Sequence, residues 1–343
     1  MTLRKSYTLT FFLIFIVMAA CFITNISLGS VIIPWLDIFY SLTGGAVEKE
    51  SWRLIVLDYR LPKAITAVLV GSGLGVSGLL MQTLFRNPLA GPFVLGISSG
   101  ASLGVALLIL GSSSLSLVLS DFLISKWGLV IAASLGSIIV LFAVLLVSIR
   151  VKDTMAILII GLMFGSITAA VVSVLSYFAP AQQLQQYIFW GFGSLGNLSW
   201  HDLLLFVIIF SFGILLTIAS IKPLNTLLLG ENYAKSMGLN IKVSRLIIII
   251  ATGLLAGGIT AFAGPIAFIG LAVPHLTRQL YHTSDHKILV PAVLLMGSII
   301  MLICDTVAQL PFTEYTLPIN AITSLIGAPV VIWLLVRKRK MLF

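Results

Sequence analysis

Long apolar runs constrain this chain more than any other feature. Nine of them, at Thr8–Leu28, Ala64–Phe85, Pro92–Leu110, Trp127–Ile149, Met155–Phe178, Leu203–Ile221, Leu246–Ala263, Ile288–Leu310 and Pro318–Val336, approach the roughly 20 residues a helix needs to cross a bilayer. Backbone inside hydrocarbon must satisfy its own hydrogen bonds, so each run reads as an α-helix. With 59% hydrophobic and 9% charged residues over 343 positions, the chain has too little polar surface to coat a water-soluble particle. Lipid is its solvent. No linker or low-complexity stretch divides residues 1–343, which read as a single transmembrane domain. The first run follows Arg4-Lys5 and imitates a cleavable signal, but it continues past Cys21 to Leu28, beyond the about 7–15 residues of a signal core. It is expected to be a span.

A tenth segment, Pro265–Val273, is half length and is bracketed by Gly264-Pro265 and Pro274-His275. Charge decides how it is counted. If it crosses and the N-terminus is cytoplasmic, 15 of the 20 Lys and Arg residues fall in inside loops and 5 outside, as the positive-inside rule asks. If it does not, the basic tail Arg337-Lys338-Arg339-Lys340 lands outside and the asymmetry collapses. The expectation is an all-α integral membrane protein of about ten transmembrane helices, one short or broken, with both termini cytoplasmic. The net charge of +9 is then a matter of topology, and its spread over several loops excludes a nucleic-acid stripe. Residues 34–63 and 179–202 read as outside loops, the second with Tyr187, Trp190 and Trp200 at headgroup level.

Catalytic patterns are missing. The sequence contains no GxSxG and no Walker A loop, so no catalytic residue is assigned and any energy for transport comes from another chain. Asp305 is the one ionisable side chain inside a span. A self-sufficient ion-coupled carrier calls for several buried acids, and the plain reading of Asp305 is a carboxylate that accepts hydrogen bonds from a neighbouring helix. His275, His282 and His286 lie near Asp285 without HExxH or paired cysteines, so they read as a solvated loop and no metal site is expected. Cys21 and Cys304 fall inside spans as packing residues. Glycines at 71, 73, 75 and 78, and the small residues at 96–104, place the second and third spans in close helix contacts. Helix breaks at Arg86–Pro92 and Ala263–Pro265 belong where the chain is buried in protein or lines a pathway.

One segment is amphipathic: LNTLLLGENYAKSMGLN, from Leu224 to Asn240. Pro223 opens a short helix with Leu224, Leu227 and Leu228 on one face, and Gly230 breaks it. A second turn starts at Glu231, pairs it with Lys235 four residues on, and stops at Gly238. This glycine elbow is expected to turn Gly230, Ala234 and Gly238 outward, which suits a partner's groove or the headgroup layer equally.

The stretches RLPKAITAVLVGSGLGVSGLLMQTLFRNPLAGPFVLGISSGASLG (residues 60–104), GENYAKSMGL (230–239), GPIAFIGLAVPHLTR (264–278) and GAPVVIWLL (327–335) resemble the membrane permeases of binding-protein-dependent ABC importers for iron-siderophores, haem and cobalamin. The likeness runs in order along nearly the whole chain. It implies a type II importer: two permease subunits, here as a homodimer in the cytoplasmic (inner) membrane, with the solute path at their interface. Two cytoplasmic ATPase subunits hold ATP and magnesium, this chain holds no cofactor, and an extracytoplasmic binding protein delivers the cargo. Ferric siderophore is the cargo this likeness favours, with cobalamin or haem as alternatives. By the same likeness, Leu227, Gly230, Glu231, Ala234 and Gly238 couple to the ATPase, Arg60 and Lys63 dock the binding protein, Thr154 and Met155 form the cytoplasmic gate, and Phe164, Ser166 and Ser173 are candidates for the pathway wall. The chain departs from the family pattern at Gln309, where an Arg is common, and at Asn320, in place of Gly.

Overall fold

The structure, a computed structural model, describes residues 7–111, 125–151, 154–311, 313 and 315–336, without the side chains of residues 94, 148–150, 154, 334 and 335. The basic residues at 4, 5, 152 and 337–340, which carry much of the charge asymmetry, lie outside the described residues. Regular structure among the described residues is entirely helical: α1 Thr8–Ser27, α2 Trp35–Thr43, α3 Glu50–Phe85, α4 Ile97–Ile109, α5 Lys126–Arg150, α6 Thr154–Phe178, α7 Ala181–Gly191, α8 Trp200–Ala219, α9 Ile221–Leu228, α10 Glu231–Ser236, α11 Ile241–Ala263, α12 Ile269–Tyr281, α13 His286–Ala308 and α14 Ile319–Val336. Seven of these (α1, α3, α5, α6, α8, α11 and α13) are long and apolar enough to cross a bilayer.

Three expectations need correction. The run Pro92–Leu110 is not one helix: Pro92–Leu95 makes a single 3-10 turn, Gly96 adopts the left-handed region at φ 71°, and α4 starts only at Ile97. Pro274 does not close the tenth segment but sits inside α12, a 13-residue helix that starts after Phe268, itself at φ 66°. Residues 34–63 are largely helical rather than loop, since α2 lies there and α3 begins at Glu50. Pro62 does not break α3, because a π-turn at Ile55–Arg60 widens the backbone immediately ahead of the residue that lacks an N–H.

α3 occupies the interior, with 83% of its apolar window buried against 17% for α1 and for α6, which therefore keep broad apolar faces at the surface. α13 runs antiparallel beside α3. Lys63 meets Asp305 at one end, Gly71 meets Gly297 midway, and Thr83 meets His286 at the other end. A Cβ on either Gly71 or Gly297 would overlap the carbonyl of the other. On its α12 side, Gly78 lies against the carbonyl of Gly270, the residue four before Pro274. Pro274 offers that carbonyl no N–H, and glycine at position 78 lets the freed group approach the α3 backbone. The small residues of α3 and α4 thus make close contacts as expected, with Gly100 of α4 fitting against Gly136 of α5 in the same way.

Candidate functional site

Two clusters of polar residues occupy opposite ends of the α3–α13 pair. At the end where α3 begins, the Arg60 guanidinium donates to the carbonyls of Ile26 (2.7 Å) and Ser27 (2.9 Å), and also to that of Val31. It thereby caps orphan carbonyls at the C-terminus of α1. Lys63 Nζ stands 3.1 Å from Asp305, whose side chain is only 3% exposed. Asn25 Nδ2 (2.9 Å) and Gln309 Nε2 (2.8 Å) donate to the other carboxylate oxygen. Asp305 accepts bonds from neighbouring helices as expected, and Gln309 is used for this rather than for an ionic contact of its own. Arg60, Lys63, Asp305 and Gln309 line a cavity of about 530 Å³, closed on another side by Phe192–Gly196 and Pro318. Those loop residues are pinned by Ser194 N donating to Ala263 O (2.8 Å) and Asn320 N donating to Phe192 O (3.1 Å). Asn320 Oδ1 also accepts from Ala267 N (3.1 Å), which gives its departure from glycine a structural use.

The elbow lies at the other end. Its helices are α9 and α10, Gly230 turns between them at φ 113°, and Gly238 follows α10 at φ 81°. Leu224 and Leu227 are buried as the apolar spacing predicts. Two details differ from expectation. Ala234 is fully buried, so it faces the body of the protein, while Gly238 is exposed as expected and the large outward side chains are Leu229, Tyr233 and Met237, each more than half exposed. Glu231 pairs not with Lys235 but with Arg245 of α11 at 3.2 Å. Arg245 is nearly buried and more confined than an exposed lysine four residues along a six-residue helix.

Three ties fasten this elbow to the spans, and the sequence reading assigned a role to none of them. Arg86, which ends α3 at φ 47°, donates to the carbonyl of Leu227 (2.6 Å). Arg245 donates to the carbonyl of Val151 (3.2 Å), so the Glu231 partner also holds the C-terminal end of α5. Asn225 bridges to Asp285 and His286 at the start of α13. The expectation of a solvated histidine loop holds for His282, which is exposed, and is corrected for the other two: His286 is fully buried, and His275 bonds the carbonyl of Pro88 at 2.8 Å. Sequence spacing does not pair Arg86 with Leu227 or His286 with Thr83, because these partners lie 141 and 203 positions apart in the chain.

Thr154 opens α6, its side chain lying outside the described residues, and Met155 beside it is exposed. Ser166 and Ser173 share the exposed face of α6 and donate back to Leu162 and Ala169 of their own helix. Phe164 is half-buried and packs on the core, off that open face.

The family model described as the FecCD transport family matches residues 16–337. The chain belongs to the FecCD transport family. As a member it is an ABC importer permease, a transport subunit and not an enzyme. It is similar to the vitamin B12 import system permease protein BtuC of Klebsiella pneumoniae, 37% identical over 288 residues covering 84% of each chain. The protein of the same name from Salmonella typhi is 37% identical over 289 residues, 84% of this chain and 85% of the relative. Among solved structures, an inward-facing transporter assigned to the metal-chelate type of ABC transporter superposes on this FecCD chain with a TM-score of 0.82 at 30% identity, covering 97% of this chain and all of the other. PsaBC from Streptococcus pneumoniae shares the fold, with a TM-score of 0.55 at 18% identity.

Proposed function

We propose that this FecCD-family chain works as one of two identical permease subunits in the cytoplasmic membrane, and that its cargo is cobalamin. What carries the cargo reading is the 37% identity to vitamin B12 permeases over 84% of the chain. Cobalamin is itself a cobalt chelate, so the metal-chelate description of the superposing structure is compatible with it. Ferric siderophore is the cargo favoured by the motifs alone.

In this reading the elbow faces the cytoplasm, with Leu229, Tyr233 and Met237 seated on an ATPase subunit that binds ATP and magnesium. Arg60 and Lys63 lie at the outer face, where a cargo-loaded binding protein docks. Ser166 and Ser173, polar groups on an otherwise apolar exposed helix face, line the path between the two copies, and Thr154 with Met155 closes it at the cytoplasmic end. ATP binding and hydrolysis move the elbow and open the path alternately to each side. Cargo is tested in cells that lack their own cobalamin permease and express this chain with its ATPase and binding protein. Uptake of labelled cyanocobalamin that unlabelled cobalamin competes away, and ferric siderophores do not, is the expected result. Siderophore uptake without cobalamin uptake would overturn the assignment.

A further inference from the structure

We propose that Asn225, His286 and Thr83 form a positioning relay that carries movement of the elbow into the α3–α13 pair, an inference that rests on the ABC importer reading above. The chain of contacts is continuous. The Asn225 side-chain amide donates to Asp285 (2.7 Å), which leaves its carbonyl oxygen to meet both the backbone N–H (2.9 Å) and Nδ1 (2.7 Å) of His286. A ring nitrogen facing that oxygen must carry the proton, so in the neutral ring Nε2 is left to accept from the Thr83 hydroxyl at 2.8 Å, which then turns its one proton there rather than to the Leu79 carbonyl at 2.9 Å. One imidazole thus joins α9 to both long helices.

Burial makes the relay stiff. Thr83 and His286 are wholly inaccessible to water, as is the neighbouring Gln82, which bonds Arg278 of α12 at 2.8 Å. A bond broken there has no water to replace it. Beyond the relay, α3 and α13 are held at Gly71–Gly297 and again at Lys63–Asp305, so they shift together. Twenty positions separate Lys63 from Thr83, which is about 30 Å of helix at 1.5 Å per residue. A push received at the elbow therefore reaches the far polar cluster through one rigid pair. The elbow turns at Gly230 and Gly238, both in backbone regions that favour glycine.

The test uses the complex of permease, ATPase and binding protein in proteoliposomes and reads cargo imported per ATP hydrolysed. Thr83→Val keeps the shape and removes the hydroxyl. It should lower that ratio roughly three- to thirtyfold, while the ATPase still co-purifies and hydrolyses ATP at its basal rate. Thr83→Ser should restore the ratio. Asn225→Ala should lower it as well, and the double variant should be no worse than the worse single one, since both cut the same chain through His286. A simple structural staple would give additive losses of stability and an unchanged ratio, which would overturn the relay. Should Thr83→Val fail to fold, the half-buried Asn225→Ala decides alone, and an unchanged ratio in it is fatal to the proposal. Wild-type complex without ATP-dependent import would remove the importer reading and the relay together, whereas import in wild type with matching ratios in the variants removes only the relay.

Discussion

Lys63 of α3 and Asp305 of α13 form an ion pair at 3.1 Å in which the carboxylate is almost wholly buried and the ammonium about one-fifth exposed. The basic residue expected to meet a binding protein is thus already engaged within its own chain. Removing Lys63 alone strands a buried carboxylate with only Asn25 and Gln309 to solvate it. Lys63→Met should destabilise the protein by about 3 kcal/mol, while Lys63→Met with Asp305→Leu should recover most of the loss. Thermal unfolding in detergent measures both, and equal destabilisation in the single and double variants would contradict the pairing.

Helix contact supplies a second prediction. Gly71→Ala and Gly78→Ala each place a methyl group on a facing backbone carbonyl, so the helices must separate, at a cost of about 1–3 kcal/mol or more. Gly191→Ala is the control, because nothing stands within 4 Å of a Cβ there and no unusual φ is recorded for it. It should be neutral or raise the melting temperature slightly. Unfolding scans of the three variants should rank them accordingly.

Arg245 joins the elbow to the C-terminal end of α5 by holding Glu231 and the Val151 carbonyl together. Arg245→Lys keeps the charge but lacks the fork that reaches two partners. Its expected effect is loss of coupling between ATP hydrolysis and uptake by about threefold or more, with less change in the amount of assembled complex. Uptake per ATP, measured beside the yield of co-purified ATPase, separates the two.

The outward face of the elbow gives a fourth. Tyr233→Ala and Met237→Ala should weaken capture of the ATPase by about 1–2 kcal/mol each, a factor of roughly ten, as aromatic and apolar anchors do in protein interfaces. Ala234→Leu acts differently. It has no space because Ala234 is buried, so it should distort the elbow and lower stability before any ATPase is added. Binding of purified ATPase to immobilised permease reads the first pair, and unfolding of the permease alone reads the last.

These residues also mark where the sequence was legible. Spans such as Thr8–Leu28 and Leu203–Ile221 fall within about three residues of α1 and α8, since hydrocarbon composition over some twenty residues outweighs local preference. The glycine contacts of α3 could be anticipated because lipid-facing helices have no use for such residues. The internal position of Pro274 could not, because its cost is met by Gly78, nearly 200 positions away. Nor could the inward turn of Ala234 or the choice of Arg245 over Lys235, which depend on what α11 places beside a six-residue helix. Arg86 and His286 read as ordinary loop residues, and Asn225 as a polar position of the short helix opened by Pro223, until the fold brings their partners to them.

The most direct test of the account is uptake of cobalamin into proteoliposomes that contain the permease, its ATPase and the loaded binding protein. The account predicts accumulation that requires ATP and magnesium on the ATPase side, persists when ion gradients are collapsed, and disappears when the ATPase is omitted. Accumulation without ATP that follows an ion gradient would contradict it.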